Sequence, residues 1–161
     1  MTDFGKLPGG LVPALLTAEE QDVVWFLGSL VRIRLGGDAT GGQLAVVEHE
    51  NERGFGTPVH THHAADETFF VLDGELRVEV DGQISTAGAG SVAFLPRGLS
   101  HSILITSPQA RYLTLHNPAG FEEFTRAVGT PRADMPPPDL QALKAIAAGY
   151  DIDIIGPPPR L

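Results

Sequence analysis

The sequence predicts an all-β protein whose antiparallel strands form a sandwich or a barrel. Two observations lead to this prediction. Short runs of alternating apolar and polar residues recur along most of the chain, and glycine, proline or aspartate separates each run from the next. The composition agrees, because 42% of the 161 residues are apolar and the chain contains 19 glycines and 13 prolines. That balance is more typical of a loop-rich β protein than of a helical bundle.

The first strand is predicted at residues 25–35, where Val31, Ile33 and Leu35 alternate with two arginines, as in a half-exposed strand. Further strands are predicted at residues 43–49, 68–72, 75–80, 83–87, 91–95, 101–106 and 110–116. Asp73-Gly74 predicts a tight β-hairpin between two of these strands, because both central positions of such a turn favour a positive φ. Asp81-Gly82 predicts a further turn.

From residue 120 onward the pattern changes to that of helices. Phe121, Phe124 and Val128 recur at a spacing of three to four residues, which predicts an amphipathic helix. A second helix is predicted at residues 139–148, with Asp139 as its N-cap. We expect both helices to pack outside the barrel.

The chain is predicted to form one domain over residues 1–161, with the barrel core at about 24–118 and a helical extension at 119–161. No internal repeat is present. The proline-rich segment 156–159 is predicted to lie over the surface, because proline cannot continue a regular helix or a central strand.

Charge and composition exclude several classes of partner. The net charge of −9 argues against a nucleic-acid partner, because phosphates are bound by clustered lysine and arginine. The absence of cysteine excludes disulfides and thiolate ligands. No apolar run approaches the 18 residues of a membrane span, and residues 1–10 lack the pattern of a secretory signal. We therefore expect a cytoplasmic protein with no membrane partner.

Four residues are spaced so that one metal ion could gather them. His60 and His62 are two positions apart and so share one face of a strand. Glu67 follows a short loop in which the chain can double back, and His101 comes from a distant strand. The predicted shell has three nitrogens and one oxygen, which suits one divalent transition metal ion, namely Ni, Co, Mn, Fe, Cu or Zn. Four protein ligands leave positions open on such an ion, so the site is predicted to be catalytic.

The other three histidines are predicted to be non-ligands. His63 should point away from the ligand face, toward solvent or a supporting contact. His49 ends a strand from which it could reach the barrel interior. His116 is predicted to be exposed, because the following Asn117-Pro118 predicts a turn.

Phe69 and Val71 should lie on the same strand face as Glu67, inside the barrel and near the metal. One interpretation is that both side chains pack in the core. The other is that they form an apolar wall for an aromatic substrate, since ligand pockets are mostly apolar. The two interpretations are compatible.

The segments that contain these residues resemble the paired sequence motifs of the cupin superfamily. The first motif runs from Gly54 to Gly74 and the second from Gly90 to His101. Many cupins carry asparagine four residues after the last histidine, where this chain has Ile105, a departure that leaves the four ligands unchanged. The resemblance implies a double-stranded β-helix, the small jelly-roll barrel of that family.

The chain is also similar to bacterial cupins of the quercetinase, or flavonol dioxygenase, type. The similar segments are residues 24–28, 38–42, 60–76, 94–98, 117–122 and 154–158. The resemblance implies a small aromatic substrate, a flavonol, bound to the metal through its 3-hydroxyl. Attack of dioxygen and opening of the heterocycle with loss of carbon monoxide would follow. A homodimer is also implied. Glu67 would take the hydroxyl proton as general base.

Two alternative functions stay open. A metal-dependent aromatic polyketide cyclase or isomerase would use the same ion to polarise a carbonyl, without consuming dioxygen. A non-enzymatic cupin would bind a small molecule as a sensor. Regulators of that kind usually carry a helix-turn-helix, for which this chain has no candidate segment.

Overall fold

The computed structural model of the chain describes residue 11 and residues 13–161. Across these residues, eleven strands form one six-stranded and one five-stranded antiparallel sheet. In chain order the strands are β1 (Asp22–Phe26), β2 (Ser29–Leu35), β3 (Ala45–Glu52), β4 (Val59–His62), β5 (Asp66–Asp73), β6 (Glu75–Val80), β7 (Gln83–Gly88), β8 (Val92–Leu95), β9 (Ser100–Ile105), β10 (Gln109–Asn117) and β11 (Ile152–Gly156). The helices are α1 (Gly37–Thr40), α2 (Phe121–Val128) and α3 (Leu140–Ala148). The predicted all-β architecture with short C-terminal helices is confirmed.

The two sheets have the orders β1-β2-β3-β10-β5-β8 and β11-β4-β9-β6-β7. Apolar side chains from both sheets meet between them, because alternate residues of each strand point inward. We call this group the barrel core; it comprises Phe69, Val71, Leu76, Val78, Ala87, Leu95, Ile103, Ile105, Ala110 and Tyr112. Phe69 and Val71 are therefore packed in the core, as the first interpretation of these residues predicted.

A second apolar group joins β1, β2 and β3 to the C-terminal elements. We call it the cap cluster; it comprises Phe26, Val31, Val47, Phe124, Val128, Leu143, Ala147 and Ile152. Both predicted C-terminal helices are present. The Asp139 carboxylate accepts a hydrogen bond from the backbone N–H of Ala142 at 2.9 Å, so it caps α3 as predicted.

The single strand predicted at residues 25–35 is wrong, because a two-residue turn divides it. Leu27 and Gly28 both have positive φ, at 52° and 84°. Positive φ at both central positions turns the chain back on itself, and β1 and β2 pair as an antiparallel hairpin.

The hairpin predicted at Asp73-Gly74 is also wrong. β5 pairs with β8 and β10, whereas β6 pairs with β7 and β9, so the chain crosses between the sheets at Gly74. Gly74 has φ of 80°, and a Cβ there would collide with the carbonyl oxygen of Gln109. Glycine is required by this close approach. The tight hairpin lies instead at Asp81-Gly82, with φ of 48° and 79°, between β6 and β7.

Strand β11 was not predicted. It pairs antiparallel with β4 and places Ile152 opposite His62 and Ile154 opposite His60. The proline-rich residues after Gly156 form no regular structure, as predicted.

Within the part of the chain that the structure describes, no helix is long and apolar enough to cross a bilayer. Residues 1–10, from which the lack of a secretory signal was predicted, lie outside the described residues.

Candidate metal centre

Three strands bring the four predicted ligands to one point in the barrel. β4 carries His60 and His62, β9 carries His101, and β5 of the facing sheet carries Glu67. His60 and His101 are direct cross-strand partners. One potential ligand atom from each of the four residues lies within 4.8 Å of the other three. This group could therefore hold a metal ion.

Backbone carbonyls orient two of these histidines. Nδ1 of His60 donates a hydrogen bond to the carbonyl oxygen of Pro58 at 2.7 Å. Nδ1 of His101 donates in the same way to Leu99 at 3.3 Å. Because a carbonyl oxygen can only accept, Nδ1 must carry the hydrogen in both rings. The other nitrogen, Nε2, is thereby left as the ligand atom, an arrangement common around protein-bound metals.

Glu67 faces the histidines through one of its two oxygens. Oε2 lies 2.9 Å from Nε2 of His101 and 3.4 Å from Nε2 of His62. Nε2 of His62 is buried and has no hydrogen-bond partner among the described residues. Buried polar atoms are normally bonded, and a cation beside Glu67 would satisfy this nitrogen. Three imidazole nitrogens and a carboxylate oxygen fit a divalent transition metal.

The histidines of β4 are in the neutral protonation state that metal binding requires. Burial lowers the pKa of His60 to about 3 and that of His62 to about 4. Both imidazoles are therefore neutral near pH 7 and have a free lone pair.

Glu67 and His101 form a buried ion pair. Burial opposes the charged form of Glu67, but the electrostatic interaction with the His116 imidazole and the hydrogen bond from His101 outweigh it and lower the pKa of Glu67 well below its ordinary value. Burial also opposes the charged form of His101, and the hydrogen bond to Glu67 prevails and raises the His101 pKa. Metal binding would displace the proton of this pair.

The prediction that His116 is exposed is wrong. Its side chain is fully buried, and Nε2 lies 3.5 Å from Oε1 of Glu67. β10 continues through His116 to Asn117. The bend therefore begins at Pro118, one residue after Asn117, where the turn was predicted to begin. The inward alternation of Tyr112 and Thr114, continued by two residues, was the signal that could have located His116.

The remaining histidines lie where they were expected. The His49 ring is buried in the barrel, stacks on Tyr112 with centroids 4.9 Å apart, and bonds Thr114 Oγ1 at 3.0 Å. The His63 side chain is 51% exposed, and its Nε2 lies 2.8 Å from Oδ2 of Asp153 on β11. His63 therefore ties β4 to β11 at the surface.

An ion pair that sequence reasoning missed connects the two motifs. Arg97 donates to the Asp66 carboxylate from its backbone N–H, Nε and Nη2 at 2.9, 3.0 and 2.9 Å. These hydrogen bonds lower the pKa of Asp66 to about 2. Asp66 immediately precedes Glu67, and Arg97 lies in the turn before His101. The pair therefore links the strands that carry these two ligands.

Two small spaces open beside His60. An inner cavity of about 30 Å³ is lined by residues that include His49, Glu67 and Phe69. An outer apolar groove of about 40 Å³ is lined by residues that include Phe26, Phe124, Leu143 and Ile152 of the cap cluster. Phe26 and Phe121 border both spaces. Val71 lies deeper, in the barrel core.

Comparisons with known proteins agree with this geometry. The sequence model of the Cupin domain family matches residues 47–116, which contain all four predicted ligands. Quercetin 2,3-dioxygenase from Bacillus subtilis (strain 168) is 30% identical over 131 residues, or 81% of this chain. The chain belongs to the cupin superfamily. It spans 39% of the length of that dioxygenase.

Solved structures support the fold of this cupin. KdgF from Halomonas sp. superposes with a TM-score of 0.61 at 20% identity, covering 69% of this chain and 98% of KdgF. The polyketide cyclase RemF from Streptomyces resistomycificus gives a TM-score of 0.55 at 18% identity, covering 65% of this chain and 83% of RemF. At these identities the likeness concerns the fold alone.

Proposed function

We propose that this cupin is a metal-dependent dioxygenase that opens the heterocycle of a flavonol-like aromatic substrate. The observation that carries the proposal is the buried cluster of His60, His62, Glu67 and His101, whose ligand atoms lie within 4.8 Å of one another. The 30% identity to quercetin 2,3-dioxygenase supports the choice of reaction.

In this proposal the four residues would hold one divalent transition metal ion, which would act as a Lewis acid on a substrate hydroxyl. The bound ion would lower the pKa of that hydroxyl. Glu67 acts as the general base that receives the proton. Because the pKa of Glu67 is low, its carboxylate is a weak base that is matched to a hydroxyl whose own pKa the ion would lower.

The walls of the site favour an aromatic ligand. Phe69 borders the inner cavity, and Phe26 and Phe121 border both spaces beside His60. Val71 would contact only a part of the substrate that reached into the barrel core. A space of about 30 Å³ admits a molecule the size of water or dioxygen. A flavonol is larger, so the proposal requires the Phe26 side chain to move away from Phe121 on binding.

We also propose that the protein is a cytoplasmic homodimer. β8 is the outer strand of the six-stranded sheet, and its side chains Val92 and Phe94 are 60% and 63% exposed. Exposed apolar residues on an edge strand support association with a second copy. Light scattering should give the dimer mass for the wild type and the monomer mass for Phe94→Glu. A wild-type monomer would contradict this part of the proposal.

Metal analysis and oxygen uptake test the proposal. His60→Ala, His62→Ala and His101→Ala should each empty the site, measured by elemental analysis, because each loss also disturbs the geometry. Glu67→Gln should lose far more activity than metal, since the amide keeps an oxygen but cannot act as a base. Near-stoichiometric metal in two of the histidine variants would contradict the ligand assignment.

Spectroscopy tests the substrate class. A flavonol ionised at the site should show a red-shifted absorption band under anaerobic conditions and should bleach when air is admitted. Metal-replete protein that neither shifts the band nor consumes oxygen with several flavonols would favour the alternative of a polyketide cyclase or isomerase.

A further inference from the structure

His116 is a buried polar side chain that the proposed ligand set leaves unexplained. It is 0% exposed, and neither ring nitrogen has a hydrogen-bond partner among the described residues. Among the neighbouring imidazoles, His49 bonds Thr114 and His60 bonds Pro58, whereas Nε2 of the proposed ligand His62 also lacks a partner. An unpaired buried imidazole costs free energy, so a core position without another role would favour an apolar residue.

The geometry directs His116 at Glu67. The two residues are direct cross-strand partners of β10 and β5, on the same inward face. Nε2 of His116 lies 3.5 Å from Oε1 of Glu67, just beyond hydrogen-bond length. The other carboxylate oxygen, Oε2, is the one near His101 and His62. Glu67 therefore has one oxygen facing the ligand histidines and one facing His116.

Phe121 fixes the plane of the imidazole. Its ring stacks on His116 with centroids 4.1 Å apart and an interplanar angle of 14°. Because α2 holds Phe121 in place, the imidazole has little freedom to turn its edge away from Glu67. Stacking of this kind preserves orientation without supplying a hydrogen bond to either nitrogen.

We propose that His116 is a positioning residue that holds Oε1 of Glu67 by a hydrogen bond, so that Oε2 is the oxygen presented to the ligand histidines. The inference rests on the proposed metal site and deepens it. An imidazole carries at least one N–H whether neutral or charged, so the proposed contact does not depend on titration. Residues that orient metal ligands in this way commonly change metal affinity by about 10–100-fold.

Cobalt binding separates this role from simple core packing. His116→Leu should weaken Co²⁺ binding by about 10–100-fold and alter the visible spectrum of the bound ion, because Glu67 loses its orientation. His116→Gln should recover much of the affinity, since its amide can donate to Oε1. A packing role predicts a lower melting temperature and an unchanged spectrum.

Two controls make the test specific. His49→Leu removes another buried imidazole of the same cavity, bonded to Thr114 rather than Glu67, and should leave cobalt affinity unchanged. In a Glu67→Gln background, His116→Leu should have little further effect, because the two residues act together.

Each result decides the inference. Wild-type affinity and spectrum in His116→Leu would overturn it while leaving the proposed function intact. The inference would also be overturned if His116→Leu weakened Co²⁺ binding by the same factor in the Glu67→Gln background as in the wild type. His116 would then act independently of Glu67. A wild-type protein that binds no cobalt, nickel, manganese, iron, copper or zinc would overturn the proposed function and this inference together.

Discussion

The barrel core and the cap cluster both contribute side chains to the spaces beside the metal centre, but they differ in where their residues lie in the sequence. All barrel-core residues fall between Phe69 and Tyr112, inside the segment that matches the cupin family. Of the cap-cluster residues, Val47 alone lies in that segment. The family match therefore accounts for how the ligand strands are placed. It says little about what can reach the ligands, because cap-cluster residues outside the matched segment line part of the outer groove.

The largest effect is expected in the barrel core. Leu76 is fully buried on β6, and Leu76→Ala should lower the free energy of unfolding by about 3–4 kcal/mol through lost burial and a residual cavity. Metal content should also fall, because β6 supports the ligand strand β9. Denaturant unfolding and elemental analysis measure the two effects. Ile84→Ala, at a position 59% exposed on neighbouring β7, should change neither.

A smaller effect is expected in the cap cluster. Leu143→Ala should cost about 2–3 kcal/mol, because the surface helix α3 can settle partly into the cavity. Metal content should stay at the wild-type level while the KM for a flavonol changes, since Leu143 lines the outer groove. The exposed Leu140→Ala on the same helix is the matched control. A metal loss equal to that of Leu76→Ala would mean that the cap cluster supports the metal ligands as strongly as the barrel core does.

The pH dependence of stability probes the boundary between the clusters. The His49 ring stacks on Tyr112 of the barrel core. Its centroid also lies 6.4 Å from that of Phe121, which packs against the cap cluster. Burial lowers the pKa of His49 to about 4, against about 6.5 in an unfolded chain. Between these values the unfolded state binds more protons. The contribution of neutral His49 to the free energy of unfolding is therefore fully present above about pH 6.5 and is lost as the pH falls toward 4.

His60, His62 and His116 shift in the same direction. Below about pH 6.5, metal-free protein should thus lose stability as the pH falls, by at most roughly 1.4 kcal/mol per pH unit for each such histidine, whereas His101, whose pKa is raised, acts in the opposite direction. Urea unfolding between pH 7 and pH 5 measures the slope. His49→Gln should make it shallower, and an unchanged slope would show that His49 is not held neutral in the fold.

The smallest effect is expected at the start of α3. Asp139→Ala removes the side chain that accepts from Ala142 and should cost about 1 kcal/mol. Asp139→Asn keeps a capping oxygen and should be close to the wild type in thermal unfolding. Metal content should be unaffected in both variants, and a loss in either would tie the cap cluster directly to the ligands.

The sequence predicted the barrel and identified the four candidate ligands. His60 and His62 follow from strand alternation alone, and Glu67 and His101 follow from the motif spacing. The predictions that were wrong would have required knowledge of which strands pair with each other. Asp73-Gly74 and Asp81-Gly82 carry the same local signal, and only the neighbouring strands decide which one crosses between sheets. His116 was missed because a correct turn signal was placed one residue too early.

Strand β11 was missed for a related reason, since five residues of modest alternation do not reveal their partner. It flanks β4 in the five-stranded sheet, and β4 would be the edge strand of that sheet without β11. The contact between His63 and Asp153 spans 90 residues of sequence. During translation, the strand that carries His60 and His62 must therefore wait for residues 152–156 before both its neighbours exist. Until then β4 has an open edge of unpaired backbone N–H and C=O groups, beside the two ligands that it carries.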